Sequence, residues 1–134
     1  MDQPIHVAVG VLIDDKNCVL LARRVKGAHL EGFWEFPGGK VEADESVEGA
    51  LGRELQEELG IIIGETSPLL QVHHDYGEKQ VLLDVHRVET WSGEPHGAEG
   101  QPLAWVGVGS LDNFQVPDAN ADIMTRVKTL LSAA

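Results

Sequence analysis

The sequence predicts an α/β (α+β) fold in which a mixed sheet lies between helices. Three observations predict it. Apolar residues alternate with period two along His6–Ile13 and recur through Val81–Val88, as strands require. Apolar residues recur at helical spacing along Val47–Leu59 and again at Ile123, Met124, Val127, Leu130 and Leu131. The order is therefore strands, helix, strands, helix, which layers helices against a sheet. The 134 residues, 43% of them hydrophobic, suit a single domain over 1–134 with a core of its own.

The elements follow in order. Val7, Val9, Val11 and Ile13 share one side of the first strand, and Asp14-Asp15-Lys16-Asn17 is a turn signal. Cys18–Ala22 then reads as the second strand of a hairpin with the first. Gly27–Gly32 is a loop. Pro37-Gly38-Gly39 is a sharp feature that brings main-chain groups close to a ligand. Ser46 is the expected N-cap of the first helix and Gly60 its stop. Val81–Val88 is a long strand, paired with one just before it. Trp91–Gly100 is a Gly- and Pro-containing loop, Leu103–Val106 a short strand, and the last apolar face a closing helix.

Composition narrows the function. With one cysteine, Cys18, no intrachain disulfide forms, and a reducing, cytoplasmic setting is the expectation. Met1-Asp2-Gln3-Pro4 carries no basic and apolar leader pattern, and no apolar run is long enough to span a bilayer, so no membrane partner is expected. The formal net charge of −12 opposes a nucleic-acid backbone, so no nucleic-acid partner is expected either. A small phosphorylated ligand remains compatible if divalent cations neutralise it.

The informative segment runs from Gly39 to Ile61. Glu54, Glu57 and Glu58 stand at i, i+3 and i+4 and share one helix face. Like charges at that spacing repel, and near a helix C-terminus the macrodipole disfavours them further. One reading is a solvated acidic face. The other is a site for Mg²⁺ or Mn²⁺, because hard cations take carboxylate oxygens and reverse the sign of the cost. Arg53, beside Glu54, can hold a loop carboxylate such as Glu45 through its bidentate fork. Gly38 and Gly39 precede the helix and can offer a main-chain carbonyl to a cation.

These residues fit the pattern G-x5-E-x7-R-E-U-x-E-E-x-G-U, with U aliphatic: Gly39, Glu45, Arg53, Glu54, Leu55, Glu57, Glu58, Gly60 and Ile61 fill every fixed place. The segment resembles the Nudix signature. Trp34–Lys40, Gly93-Glu94-Pro95, Glu99-Gly100-Gln101-Pro102 and Pro117–Asn120 extend the resemblance toward its MutT-type branch over nearly the whole chain. The resemblance implies the Nudix α/β/α sandwich and a magnesium-dependent hydrolysis of a nucleoside triphosphate, with 8-oxo-dGTP giving 8-oxo-dGMP and pyrophosphate by attack at the β-phosphorus. It implies a monomer. It also implies that the Gly38 carbonyl, Glu57 and Glu58 hold the metal, that Glu54 is a further ligand or the base, and that Glu99 reaches the metal from a distant loop. Which glutamate takes the proton stays open.

On the substrate side the resemblance implies that Arg24 reaches the nucleotide and that Asn120 reads the oxidised guanine edge. A carboxamide supplies both the acceptor and the donor that this needs. Asn120 is equally suited to cap the last helix. Phe36 is a candidate lining of the base pocket, or core. Several positions depart from the relatives: Tyr76 and Val116 stand where they carry Phe, Lys79 where they carry Arg, and Asp84 and His86 where they carry bulky aromatics. The resemblance places these departures around the base, so they bear on substrate identity. Two alternatives follow: another (d)NTP such as CTP or dCTP as substrate, or a nucleotide-binding module without turnover. His73 and His74, adjacent on a strand, point to opposite faces and make a poor joint metal site.

Overall fold

The chain is organised around β1 (Ile5–Val11), which is buried on both faces. Ala8, and Leu12 just beyond the strand, pack into one apolar cluster, whereas Val9 and Val11 pack into another. A computed structural model describes residues 3–27 and 30–133. The expectations that concern Met1, Asp2, Ala28 and His29 lie outside the described residues.

Nine strands and two α-helices are described, with β2 at Val19–Arg23, β3 at Trp34–Glu35, β4 at Gly38–Lys40, α1 at Val47–Leu59, β5 at Ile62–Ile63, β6 at Thr66–Asp75, β7 at Gln80–Val88, β8 at Trp91–Ser92, β9 at Leu103–Val106 and α2 at Ala121–Ser132. Short 3-10 segments at Val108–Asn113 and Asp118–Asn120 lead into α2. The main sheet has the order β4-β1-β7-β6 and is mixed. β1 runs parallel to β7, from Ile5 opposite Val81 to Val11 opposite Arg87, while β4 and β6 are antiparallel to their neighbours. A second sheet has the order β3-β2-β9, and β5 pairs with β8.

The two helices cover opposite faces. α1 places Ala50, Leu51, Leu55 and Leu59 on Ala8, Leu12 and Leu20. α2 places Ile123, Met124, Val127 and Leu131 on the cluster containing Val9, Val11, Leu21, Leu83 and Val85. This is the expected sandwich. Gly10 permits the close approach of α1, because a Cβ there would lie 3.2 Å from Leu55 and 3.3 Å from Leu51.

The expected hairpin of the first two strands forms only at its tip. Ile13 bridges Val19, and the Leu20 N–H donates to the Leu12 carbonyl at 3.0 Å. Beyond that the strands part into different sheets. The reason is that both edges of β1 are occupied, by β4 on one side and β7 on the other, so its backbone groups have no capacity left for β2. The Trp91–Gly100 loop also begins as a strand, β8.

The first helix has the expected ends. The Ser46 hydroxyl accepts from the Gly49 N–H at 3.0 Å, and Gly60 closes the helix at φ 69°. Among the described residues no helix is long and apolar enough to cross a membrane. Because Ser46 satisfies one of the amides that α1 leaves without an internal partner, Ser46→Ala is expected to cost about 1 kcal/mol, or a fall in Tm of roughly 3–5 °C, and Ser46→Asp close to nothing. Thermal unfolding of the three proteins checks this; equal melting of all three contradicts the capping role.

Candidate active site

Two glycines bring α1 and β4 together. Gly38 has φ 156°, and a Cβ on it would sit 2.0 Å from the Ala8 carbonyl oxygen. A Cβ on Gly39 would fall 2.2 Å from the Glu54 carboxyl carbon. No other residue fits at either position without moving the strand or the glutamate, so the backbone of β4 lies directly under the acidic face of α1.

Arg53 organises that face. Its Nε and Nη2 donate to the two Glu45 oxygens at 2.9 Å each, its Nη1 donates to Glu54 Oε1 at 2.9 Å, and Nη2 also donates to the Lys40 carbonyl at 3.0 Å. Glu42 and Glu57 each bring an oxygen to 3.8 Å of the same guanidinium. The fork expected between Arg53 and Glu45 is therefore present. Its hydrogen bonds to Glu45, with the Glu42 N–H, hold the Glu45 carboxyl down at about 2. The same carboxylates push the Arg53 pKa higher still.

The three helix glutamates meet different environments. The Glu54 side chain is 18% exposed and tied to Arg53, whereas that of Glu57 is 54% exposed. Glu58 is pushed up to about 8, chiefly by burial and then by the nearby Glu54, Glu35 and Glu99 charges; a hydrogen bond from the Gly38 backbone opposes the shift only in part. Four carboxylates, Glu35, Glu54, Glu58 and Glu99, thus share one region with two arginines, Arg53 committed to Glu45 and Glu54 and Arg24 paired with Glu35.

Glu99 arrives from the other side of the fold. The segment that carries it is fixed to the end of α1 by two backbone bonds, from His96 N–H to the Leu59 carbonyl at 3.1 Å and from Ala98 N–H to the Glu58 carbonyl at 3.0 Å. Glu58 and Glu99 line one cleft of about 180 Å³ together with Arg24, Glu35 and Gln101. Arg24 and Glu35 also line a second cleft of about 160 Å³, walled by Phe36, Val7, Val9, Val81, Leu83, Tyr76, Ala119 and Asn120. The Arg24–Glu35 ion pair, at 3.0 Å, stands where the two clefts meet.

Gly38, Glu58, Glu99, Arg24, Phe36 and Asn120 are therefore gathered in two adjoining clefts, whereas Arg53, Glu54 and Glu57 are absent from the lining of either. Phe36 is both core and lining, at 4% exposure. Asn120 occupies the N-cap position of α2, yet its side chain makes no capping bond and the residue lines the second cleft. Three expectations need correction, the first being Val116, which packs against the core and is absent from the lining of either cleft. Asp84 and His86 do not line the second cleft; Val81 and Leu83 do, and strand alternation turns Asp84 and His86 to the opposite face of β7. There Asp84 receives His6 at 2.9 Å and His86 at 3.2 Å in a polar cluster buried at Asp84 and His86 and open to solvent at His6. Lys79 lies in the turn after β6, where its carbonyl accepts from the Tyr76 N–H, and is absent from the lining of either cleft. Sequence reasoning passed over Glu35 and Gln101. The signal for Glu35 was an acidic residue inside the otherwise apolar run Trp34-Glu35-Phe36-Pro37.

Comparison with known proteins agrees with this arrangement. The NUDIX domain model matches residues 8–126. The 8-oxo-dGTP diphosphatase of Escherichia coli is 36% identical over 126 residues, covering 94% of this chain and 98% of that protein. The CTP pyrophosphohydrolase of Escherichia coli is 36% identical over 115 residues, covering 86% and 84%. A solved MutT structure, from work on Aliivibrio salmonicida and Vibrio cholerae, superposes with a TM-score of 0.80 at 36% identity over 93% of this chain and 96% of that one.

The Glu58 environment has a consequence for stability. Its carboxyl titrates at about 8 in the folded chain against an ordinary value of 4.5. Between those values the folded state keeps a proton that the unfolded state has lost. Glu58's contribution is thus intact below about 4.5 and disappears as pH rises through about 8. In EDTA, the urea midpoint of the wild type is expected to fall between pH 5 and pH 8.5, and Glu58→Gln to flatten that fall. Parallel pH profiles for the two proteins contradict the assignment.

Proposed function

Because the chain belongs to the Nudix family of hydrolases, we infer that its own reaction is the magnesium-dependent hydrolysis of 8-oxo-dGTP to 8-oxo-dGMP and pyrophosphate. The observation that carries this reading is the junction of the two clefts at Arg24–Glu35. A nucleotide laid across that junction puts its phosphates beside the carboxylates and its base beside Phe36 and Asn120.

The donor set fits a hard divalent cation. Carboxylate oxygens and a main-chain carbonyl are the ligands that Mg²⁺ takes, and Mn²⁺ can substitute. Among the described residues no three Asp, Glu, His or Cys side chains form a ready-made ion cage. Mg²⁺ does not need one, since it keeps several waters and binds through one or two carboxylates plus substrate phosphates. In this reading Glu57, Glu58 and the Gly38 carbonyl hold the cation, with Glu99 facing them across the cleft. The cation, when bound, neutralises charge on the phosphate oxygens and acidifies the attacking water.

The protein's own groups do the rest. Glu54, fixed on one oxygen by Arg53, is a further ligand or the base that takes the proton of the attacking water. Arg53 and Glu45 keep the loop before α1 in place. Arg24 reaches the nucleotide from the junction. The Asn120 carboxamide oxygen accepts from the N7–H that oxidation creates, and its NH₂ donates to O6. Against dGTP the same oxygen faces a lone pair, leaving a buried polar group unsatisfied at a cost of about 1–3 kcal/mol, or roughly tenfold to a hundredfold in selectivity. The enzyme acts as a cytoplasmic monomer on free nucleotides, in keeping with its net charge of −12.

A second reading is favoured by the similarity to the CTP pyrophosphohydrolase, at the same identity over a shorter span, and by Tyr76 in the lining of the second cleft. It keeps the phosphate chemistry and exchanges the base for a pyrimidine.

One panel separates the two. Pyrophosphate release from 8-oxo-dGTP, dGTP, CTP and dCTP is measured as kcat/KM with Mg²⁺, with excess EDTA as control, for wild type and Asn120→Ala. The expected result is a preference for 8-oxo-dGTP over dGTP that Asn120→Ala erodes more than it lowers the turnover of dGTP, with no turnover in EDTA. A preference for CTP or dCTP removes the oxidised-guanine assignment. Substantial turnover in EDTA removes the metal.

A further inference from the structure

The geometry points to Gln101 as the positioning residue that sets Glu99 opposite Glu58. The two carboxylates come from segments far apart in sequence, the last turn of α1 and the loop after β8. One side-chain amide joins the backbones of both. Gln101 Nε2 donates to the Glu58 carbonyl at 2.8 Å, and Gln101 Oε1 accepts from the Glu99 N–H at 3.0 Å.

The placement follows from helix chemistry. The last carbonyls of a helix have no internal partner. At the end of α1 the Glu58 carbonyl is satisfied from outside, by the Ala98 N–H and by Gln101, and the Leu59 carbonyl by the His96 N–H. The loop can fold back this far because Gly97 has no side chain; a Cβ there would lie 2.0 Å from the Gln101 carbonyl oxygen. The two backbone bonds fix residues 96 and 98, and the Gly100 N–H closes a turn on the Gly97 carbonyl at 2.9 Å around Glu99, whose own amide, among the described residues, donates to Gln101. Without that side chain, Glu99 is exposed loop inside the Gly97–Gly100 turn, and its N–H has no other partner among the described residues.

Gln101 has the right chemistry for this role. A carboxamide donates and accepts at once, so it can serve a carbonyl and an amide together. It is uncharged, so it adds nothing to the repulsion among Glu54, Glu58, Glu35 and Glu99. It also lines the same cleft as Glu58 and Glu99. Groups that orient ligands in this way commonly change metal affinity by ten- to a hundredfold when removed. The metal part of the inference rests on the function proposed above; the positional part does not.

The test uses Gln101→Met, which preserves length and removes both hydrogen bonds, and Gln101→Glu, which keeps the acceptor and loses the donor. Amide hydrogen exchange at Glu99, followed by NMR without metal, reads the position directly. Mn²⁺ binding to the substrate-free protein, followed by EPR, reads the consequence. Gln101→Met is expected to speed exchange at Glu99 while leaving α1 amides protected, and to weaken Mn²⁺ binding roughly tenfold. Gln101→Glu is expected to weaken it as well. In a Glu99→Gln background the Gln101→Met change should add little, because its effect passes through Glu99. Unchanged exchange at Glu99, or a loss of Mn²⁺ affinity that adds fully to that of Glu99→Gln, overturns the inference. A wild type that binds no Mn²⁺ defeats the metal reading instead, and the exchange result still decides the position of Glu99.

Discussion

The guanidinium of Arg53 is the contact on which the site depends. It spans the loop before α1, the edge of β4 and the acidic face of the helix, through Glu45, the Lys40 carbonyl and Glu54. Remove it, and Glu54 and Glu57 face each other with the loop unfastened. An arginine is required because one planar group must serve several oxygens in fixed directions, which a lysine ammonium does with less geometric control. The pair is exposed enough for solvent to screen it, so its value lies in positioning more than in stability.

Arg53 leaves a remainder. Its charge is committed to Glu45 and Glu54, while Glu58 sits nearer the cleft with Glu35 and Glu99 in reach. Burial and like charge there hold a proton on a carboxyl that would ordinarily be ionised. A site optimised for stability alone would not collect these groups. Their gathering fits the proposed function, in which a divalent cation and a triphosphate supply charges of opposite sign to each other. Arg24, paired to Glu35 at the junction of the clefts, is in the proposed function the protein's own contribution to receiving the nucleotide.

Much of this was legible in the sequence, and the reasons differ by residue. The Arg53–Glu45 fork was readable because the helix period and the short preceding loop leave few places for either group. The α1 boundaries were readable because Ser46 and Gly60 carry their own local chemistry. The fate of the first hairpin was not. Alternation tells which residues of β1 share a face, but not that a distant strand, β7, takes its edge in parallel. The two-residue strands β3, β5 and β8 were invisible because partners define them, not composition. Asp84 and His86 show a subtler limit. Their parity with Leu82 and against Val81 and Leu83 was in the sequence, yet which face of β7 meets the second cleft is fixed only by where α1 and α2 pack. Gln101 was hidden because its two partners, Glu58 and Glu99, become neighbours only after folding.

The claim that Arg53 works by positioning is tested most directly by a double-variant cycle with Glu45. Pyrophosphate release is measured as kcat/KM for wild type, Glu45→Ala, Arg53→Ala and the double variant. If the two residues act as one unit, the double variant is little worse than Arg53→Ala alone, with a coupling on the order of 0.5–3 kcal/mol. Losses that add fully would show that Arg53 and Glu45 act separately and would contradict the account.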